Sequence, residues 1–322
     1  MAFYVSVDAG GSKCSAILFD ERYNLLGSGR SGGTNSSQGA SPERVRKNVA
    51  ECLDGLFKTV KPKRIKSCYA VFVGDKKILT DELNRHARVV SYEYADEIAA
   101  GLLAGAFLEE GLLALSGTGS IIGYIRKDPP LKTSLGGWGP ILGDHGSGAW
   151  IGQRALRAVI AAHEGWGELT SVRELLKDAW ELKNDWYLVN AVYRSDAPFT
   201  KVASVAPLVG EAARGGDIVS LGILREAGEL MALQTGTLID RLGFNGAYPD
   251  VVCCGGAWKS HGLMFGAFGE RLAEKYPGIT VYKPWFEHVI AGVVSVMIVN
   301  GVDRRDGRRI LSKKFTEYVI DW

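Results

Sequence analysis

The segment FYVSVDAGGSKCSAILFD, residues 3–20, predicts two β-strands joined by a tight glycine turn. On both sides of Gly10 and Gly11 the residues alternate between apolar and polar or are rich in β-formers, which is typical of strands in a sheet. The residues NLLGSGR that follow, 24–30, predict a third strand. The chain therefore begins with a β-meander.

The turn in this segment has the residues of a phosphate-binding turn. Glycines at positions 10 and 11 permit positive φ and leave backbone N–H groups open to an anion. Ser12 adds a hydroxyl, Lys13 adds a cation, and Asp8 adds a carboxylate that can hold magnesium directly or through water. Because hairpin turns also favour glycine, a plain hairpin remains an alternative for this segment alone.

A similar pattern, LLALSGTGSIIGYIRK, returns roughly a hundred residues later. Its turn alternates glycines with hydroxyl side chains: Gly117, Thr118, Gly119 and Ser120. The sequence contains no Walker A pattern, and neither turn fits GxGxxG between a strand and a helix, which disfavours P-loop and dinucleotide-binding folds.

The repeated pattern suggests two domains with related cores. We expect an N-terminal domain over residues 1–110 and a C-terminal domain over residues 111–322. No low-complexity linker separates them, so the boundary near residues 109–111 is expected to act as a hinge. The last helix is expected to pack back on the N-terminal domain.

A third glycine turn lies in VVCCGGAWKS, residues 251–260. A strand runs into Gly255 and Gly256, and a helix is predicted after Ser260. Close backbone approach at the two glycines would let adenine or its ribose lie on the chain. An ordinary turn between a strand and a helix is the alternative.

Several helices are predicted from apolar spacing and capping residues. Ser41 and Pro42 are typical of a helix start. The predicted helices cover the residues after Ser41, 96–107, 149–163, 171–182, 204–215, 218–242, 260–275 and 287–300. Further strands are predicted at 67–74, 87–95 and in the segment ITVYK.

Composition excludes some classes of protein. The chain has 322 residues, with 38 basic and 36 acidic side chains and a net charge of +2, which gives no reason to expect nucleic acid or a membrane as a partner. The N-terminus has no signal-peptide pattern, and the most apolar segment, 289–302, is shorter than the roughly 20 residues that span a bilayer. Five cysteines without CxxC spacing predict free thiols and a cytoplasmic protein.

Two aspartates are candidates for the chemistry. Asp96 begins a predicted helix, where a carboxylate caps free N–H groups; alternatively it is a fixed base beside a substrate hydroxyl. Asp144 lies in GGWGPILGDHGSG with Trp138. A carboxylate and an indole on a glycine-rich surface suit a sugar, because one binds hydroxyls and the other the apolar face of the ring.

The order of the motifs along the chain resembles that of the N-acetylglucosamine kinase family. The motifs are DAGGSK, TNSS, the helix-leading Asp96, SGTGS, GGWGPILGDHGSGAWIG and CGGAWKS. That family belongs to the BadF/BadG/BcrA/BcrD-type branch of the sugar kinase, actin and Hsp70 superfamily. The resemblance covers about residues 5–262. It implies an α/β fold with two ribonuclease H-like (actin-like ATPase) domains and a cleft between them.

The resemblance also implies a role for each matching residue. Asp96 matches the catalytic base that accepts the proton of the sugar 6-hydroxyl, and Asp8 lies near Mg²⁺. The residues that match ATP-binding positions are Gly10, Gly11, Ser12, Lys13, Gly117, Thr118, Gly119, Ser120, Gly255 and Gly256. The residues that match sugar-binding positions are Asn35, Thr118, Trp138, Gly139 and Asp144.

The sequence departs from the family pattern beside the base and beside Asp144. Ala95 stands where family members commonly have asparagine, and His145 stands where glutamate is frequent. The small residues Ser36 and Ser37 after Asn35 leave room for a larger 3-substituent, which suits N-acetylmuramate as well as N-acetylglucosamine.

Three other functions remain open at this stage. A glucokinase or other broad hexokinase would share these motifs. An ATPase that activates a reductase or dehydratase would share an iron–sulfur cluster between two subunits. A sugar-sensing regulator would need a DNA-binding helix ahead of the first strand, where only residues 1–3 stand. A homodimer is expected, with Trp166, Trp180, Trp186 and the 204–242 region as candidates for its interface.

Overall fold

The computed structural model describes residues 1–11, 13–34, 41–244 and 246–322. By their contacts these residues form two units. The first contains Met1–Glu110 and Lys283–Asp321, and the second contains Gly111–Tyr282 and Trp322. Most of the last forty residues therefore belong by contact to the first unit. That each unit folds as an independent domain stays a prediction.

The first unit is built on a five-stranded sheet. The strands of this sheet are β1 (Phe3–Ala9), β2 (Lys13–Asp20), β3 (Leu25–Gly32), β5 (Ser67–Phe72) and β7 (Tyr92–Ala95). Two short strands, β4 (Arg64–Ile65) and β6 (Arg88–Val89), form a separate pair. The order in the sheet is β3-β2-β1-β5-β7. The first three strands are antiparallel, whereas β5 and β7 run parallel to β1. The meander is confirmed, but the single strand predicted over 87–95 is wrong, because β6 pairs with β4 and β7 pairs with β5.

Helices cover both faces of this sheet. They are α1 (Pro42–Leu56), α2 (Lys76–His86), α3 (Glu97–Ala106), α11 (Ala291–Val299) and α12 (Arg304–Lys314). On one face Val5 and Val7 pack with α1 and α2. On the other face Tyr4 packs with α3 and α11, and Ser6 Oγ accepts a hydrogen bond from Gly292 N.

The second unit repeats the same arrangement of strands. They are β8 (Gly111–Ser116), β9 (Ser120–Arg126), β10 (Leu131–Gly136), β11 (Val251–Cys254) and β12 (Val281–Tyr282). Their order is β10-β9-β8-β11-β12, with β8, β9 and β10 antiparallel and β11 and β12 parallel to β8. The repetition that the sequence suggested is therefore a repetition of sheet topology.

The helices of the second unit lie mostly between β10 and β11 in the chain. They are α4 (Gly148–His163), α5 (Val172–Trp180), α6 (Tyr187–Tyr193), α7 (Pro198–Ala203), α8 (Ala206–Arg214), α9 (Ile218–Leu242) and α10 (Gly262–Lys275). The apolar faces of α4, α5, α6, α8, α9 and α10 form one core with β8 and β11. The sequence analysis did not predict α6 and α7, which are too short to show a clear helical period.

Within the described residues, none of the helices has both the length and the apolar character to cross a bilayer. All five cysteines are free, as predicted, and all five are buried.

Candidate functional site

The first glycine turn, with Gly10 and Gly11, lies at the carboxyl end of β1. Gly10 N donates to Lys13 O at 3.0 Å, and Thr34 N donates to Gly10 O at 2.9 Å. These bonds hold the turn against the end of β3. Gly11 is exposed, so its backbone is open to a ligand. Ser12, a predicted phosphate ligand, and Asn35, a predicted sugar ligand, lie outside the described residues.

A row of polar side chains crosses the sheet just below this turn. Asp8 on β1 pairs with Ser15 on β2, and Ser15 pairs with Arg30 on β3. Directly opposed residues of antiparallel strands point to the same face, so all three lie on the α3 side of the sheet. Asp8 is only 9% exposed and Ser15 is fully buried, yet the Ser15 hydroxyl has no hydrogen-bond partner among the residues that the structure describes.

Asp96 caps α3, as its position predicted. Its Oδ1 accepts hydrogen bonds from Ile98 N at 2.8 Å and from Ala99 N at 3.0 Å. These bonds fix the carboxylate at the start of the helix. The structure thus confirms the capping role, and capping does not prevent a fixed carboxylate from orienting a substrate hydroxyl.

Glu97 is a second acidic residue at this place, and the sequence analysis did not single it out. A methyl group added at Gly10 would lie 4.0 Å from Glu97 Oε1, so this carboxylate faces the first glycine turn. Burial, and then the charge of Asp8, raise the pKa of the Glu97 carboxyl. The position of Glu97 could have been found from the topology. The helix α3 follows β7, and β7, β5 and β1 are parallel neighbours. The start of α3 and the end of β1 therefore lie at the same edge of the sheet.

These residues fit a magnesium ion. Mg²⁺ is usually held by one or two carboxylates together with substrate phosphates and water. Asp8 and Glu97 supply two carboxylates that are close enough for their charges to interact, and Ser15 supplies a buried hydroxyl that no described residue binds. A buried hydroxyl without a protein partner is commonly satisfied by water or an ion.

The second glycine turn (residues 117–119) is fixed to the start of α4. Gly148 N donates to Gly117 O at 2.8 Å, and Ala149 N donates to Thr118 O at 3.2 Å. At the start of β9, directly after the turn, Ser120 Oγ donates to the backbone oxygen of His145 at 3.0 Å. The turn and the loop before α4 therefore form one rigid surface.

Asp144 lies inside this surface. It is 5% exposed, has a φ of 53° and accepts a hydrogen bond from Gly139 N at 3.2 Å. Burial raises the pKa of the Asp144 carboxyl, while the N–H groups of Gly139 and Ser120 act in the opposite direction. A buried carboxylate beside a glycine turn is suited to bind hydroxyl groups. The structure thus brings Asp144, Gly139 and the second glycine turn together.

Trp138 is placed differently from the aspartate. Its side chain is 73% exposed, and Ile141 and Leu142 beside it are 79% and 78% exposed. This loop therefore offers three apolar side chains to solvent next to a buried acid. An indole in that position is available to stack on a ligand.

The third glycine turn (Gly255 and Gly256) contacts the second. Gly255 has a φ of 109°, and a side chain there would overlap the carbonyl oxygen of Ser116. Gly256 has a φ of −70° and open space around it. Trp258 fixes the following turn, because its indole N donates to Ala114 O at 3.0 Å. Gly255 is thus required by packing, and Gly256 is the glycine with room for a ligand.

Comparison with solved structures supports the fold. A protein from Chromobacterium violaceum, solved as a candidate N-acetylglucosamine kinase, superposes with a TM-score of 0.70 at 23% identity, covering 92% of this chain and 99% of that one. A ROK family glucokinase from Streptomyces griseus superposes with a TM-score of 0.60 at 15% identity, over 92% and 99% of the two chains. The predicted α/β fold with two actin-like ATPase units is thereby confirmed.

Sequence comparison extends the likeness. The chain is 28% identical over 290 residues to a protein of Clostridium acetobutylicum named N-acetylmuramic acid/N-acetylglucosamine kinase, covering 87% of this chain and 94% of that protein. Because residues 5–294 match the model of the BadF/BadG/BcrA/BcrD ATPase family, the chain belongs to that family.

Proposed function

We propose that this protein is an ATP-dependent amino-sugar kinase that phosphorylates the 6-hydroxyl of N-acetylglucosamine and also accepts N-acetylmuramate. The observation that carries the proposal is the buried Asp144 held against the second glycine turn, which joins a hydroxyl-binding carboxylate to a phosphate-binding backbone. Membership of an ATPase family implies the use of ATP. The name of the Clostridium relative supports the choice of sugar.

The glycine turns are the proposed nucleotide site. Their backbone N–H groups would bind phosphate oxygens, with Ser12, Lys13, Thr118 and Ser120 adding side-chain donors. Gly255 and Gly256 would accept the adenosine. Asp8 and Glu97 would hold Mg²⁺, which when bound neutralises charge on the phosphates.

Asp96 is the proposed base. Phosphoryl transfer has a loose transition state, so its rate depends mostly on positioning and on charge neutralisation. Asp96 is fixed by two backbone N–H groups at the start of α3. Its main role is therefore to aim the 6-hydroxyl along the line of transfer and to accept its proton.

The sugar would be bound by Asn35, Thr118, Trp138, Gly139 and Asp144. The Asp144 carboxylate would accept hydrogen bonds from ring hydroxyls, and Trp138 would cover an apolar face of the sugar.

The decisive experiment is an ADP-release assay with glucose, glucosamine, N-acetylglucosamine and N-acetylmuramate, with ATP alone as the blank. We expect the two N-acetylated sugars to give the highest kcat/KM. Equal rates with glucose would instead indicate a broad hexokinase. ATP hydrolysis that no sugar stimulates would contradict the proposal.

The ATPase-activator alternative has less support. A cluster shared between subunits needs exposed thiolates, whereas all five cysteines are buried. Burial also raises the pKa of the Cys68 thiol and of the Cys254 thiol to about 12, which disfavours the thiolate. Iron analysis of the purified protein tests this alternative, and we expect no bound iron.

The expected homodimer stays a prediction. Trp166 and Trp186 are 74% and 77% exposed, whereas Trp180 is partly buried with Lys201 over its ring. The two exposed indoles are therefore the better candidates for an interface. Light scattering of the eluted protein would measure the oligomeric state.

A further inference from the structure

Glu287 binds two cations at the first glycine turn. Its Oε2 lies 2.8 Å from Lys13 Nζ, and its Oε1 lies 3.4 Å from a terminal nitrogen of Arg30. The Glu287 side chain is 20% exposed, whereas those of Lys13 and Arg30 are 49% and 54% exposed. One carboxylate therefore holds the lysine that is predicted to bind phosphate.

Glu287 and Arg30 each have a further contact, and both of these contacts are with Tyr318. Glu287 N donates to Tyr318 O at 2.9 Å. The Arg30 guanidinium lies over the Tyr318 ring, 5.4 Å from its centroid. Among the described residues, Glu287 is the side chain that pairs with Lys13, whose ammonium lies at the end of a flexible stem at the start of β2. Lys13 is thus the member of this triad that can move at low cost.

On the basis of the proposed function, we propose that Glu287 holds Lys13 away from phosphate in the nucleotide-free protein and that Arg30 keeps Glu287 paired when the nucleotide takes Lys13. Glu287 is then a positioning residue that sets the affinity for nucleotide. No covalent step is involved, only the exchange of one ion pair for another.

The charges make this exchange favourable. A largely buried carboxylate left without a cation would oppose release of Lys13, because desolvated charges need partners. Arg30 removes that obstacle, since it already contacts the other oxygen of Glu287. The apparent affinity for nucleotide is reduced by the fraction of molecules in which Lys13 is free.

Three variants test the exchange in the full-length chain. Glu287→Gln should lower the Kd for a non-hydrolysable ATP analogue with Mg²⁺ by about three- to tenfold, the factor expected if Lys13 is free in about a tenth to a third of molecules. Arg30→Gln should raise the Kd, because Lys13 is then the one cation of the pair that still neutralises Glu287, and its release becomes more costly. In a Lys13→Met background both effects should vanish.

The Lys13→Met background separates this mechanism from a general change of charge, which would persist without Lys13. Glu51→Gln, an exposed glutamate on α1, is the matched control and should leave the Kd unchanged. Calorimetric titration without sugar gives the Kd values, and thermal melting shows that each variant is folded. An unchanged or higher Kd in Glu287→Gln, or effects that survive in Lys13→Met, would overturn the proposal.

The experiments distinguish failure of the proposed kinase function from failure of this inference about Glu287. If no sugar stimulates ADP release but the Glu287→Gln shift is found, the kinase assignment fails and this inference stands. If sugars stimulate ADP release but Glu287→Gln does not shift the Kd, the kinase assignment stands and the inference about Glu287 fails.

Discussion

The carboxylate of Asp144 fills the space that a side chain at position 119 would need. A methyl group added at Gly119 would lie 2.5 Å from Asp144 Oδ2, closer than real contacts allow. We therefore expect Gly119→Ala to displace Asp144 and to raise the KM for the sugar at least about tenfold, which is the loss from one misplaced hydrogen-bonding group.

Gly222→Ala is the matched control for this change. Gly222 lies on the exposed face of α9 with open space around it, so alanine should keep the activity and slightly stabilise the helix. Steady-state kinetics over a range of sugar concentrations makes the comparison. A Gly119→Ala variant with a normal sugar KM would show that Asp144 does not bind the substrate.

Asp144→Asn should change how stability depends on pH. The pKa of this carboxyl is raised in the folded state, so protonation favours folding and the wild-type protein loses stability as pH rises through the raised pKa. Asparagine does not titrate and can still accept the Gly139 hydrogen bond. The variant should therefore be more stable than wild type at about pH 7, with a smaller difference near pH 4.

Melting temperatures of both proteins from about pH 4 to pH 8 measure this effect. A difference that grows as the pH falls would contradict the sign. The same variant should bind sugar more weakly, because the binding carboxylate is lost.

Asp96→Asn should lower kcat by about 10²- to 10⁴-fold, the usual contribution of a general base. Asparagine is as good an N-cap as aspartate, so α3 should stay intact. Asp303→Asn repeats the change at the N-cap of α12, where Asp303 accepts from Asp306 N at 2.8 Å, and should leave kcat unchanged. Near-normal turnover in Asp96→Asn would refute the role of base.

Glu97→Gln should weaken the binding of the divalent cation, because one of two carboxylates loses its charge. We expect the Mg²⁺ concentration for half-maximal activity to rise at least about fivefold. Electron paramagnetic resonance of Mn²⁺ titrated into the protein with an ATP analogue measures the same loss without turnover. Glu51→Gln serves again as control, and equal Mn²⁺ affinity in Glu97→Gln would remove Glu97 from the site.

Gly255→Ala and Gly256→Ala should differ strongly in stability. Alanine at 255 would need a φ of 109° and would overlap the Ser116 carbonyl, so we expect a loss of about 2 kcal/mol or more. Alanine at 256 meets open space and a φ of −70°, so its effect should be within about 0.5 kcal/mol. Urea unfolding of both variants is the measurement, and equal losses would contradict the steric explanation.

The parts of the fold and site that the sequence predicted depend on local signals. The meander, the glycine turns and the cap at Asp96 follow from residues within one segment. Glu97 and Glu287 were missed because their positions depend on tertiary structure. Glu97 lies near the first turn because β7, β5 and β1 are parallel neighbours in the sheet. Glu287 pairs with a lysine 274 residues earlier in the chain. Strand 87–95 was misread because its two halves pair with different neighbours.

The contribution of residues 283–321 to the first unit has a consequence for synthesis on the ribosome. Phe286, Val293 and Phe315 are fully buried beside Tyr4 and Phe19. The sheet formed by the first hundred residues must therefore wait, with one apolar face covered only in part by α3, until residues 286–315 have been synthesised. The second unit is nearly continuous in sequence and has no such delay, so it is expected to mature first and to leave the nascent N-terminal sheet as the segment that most needs chaperone protection.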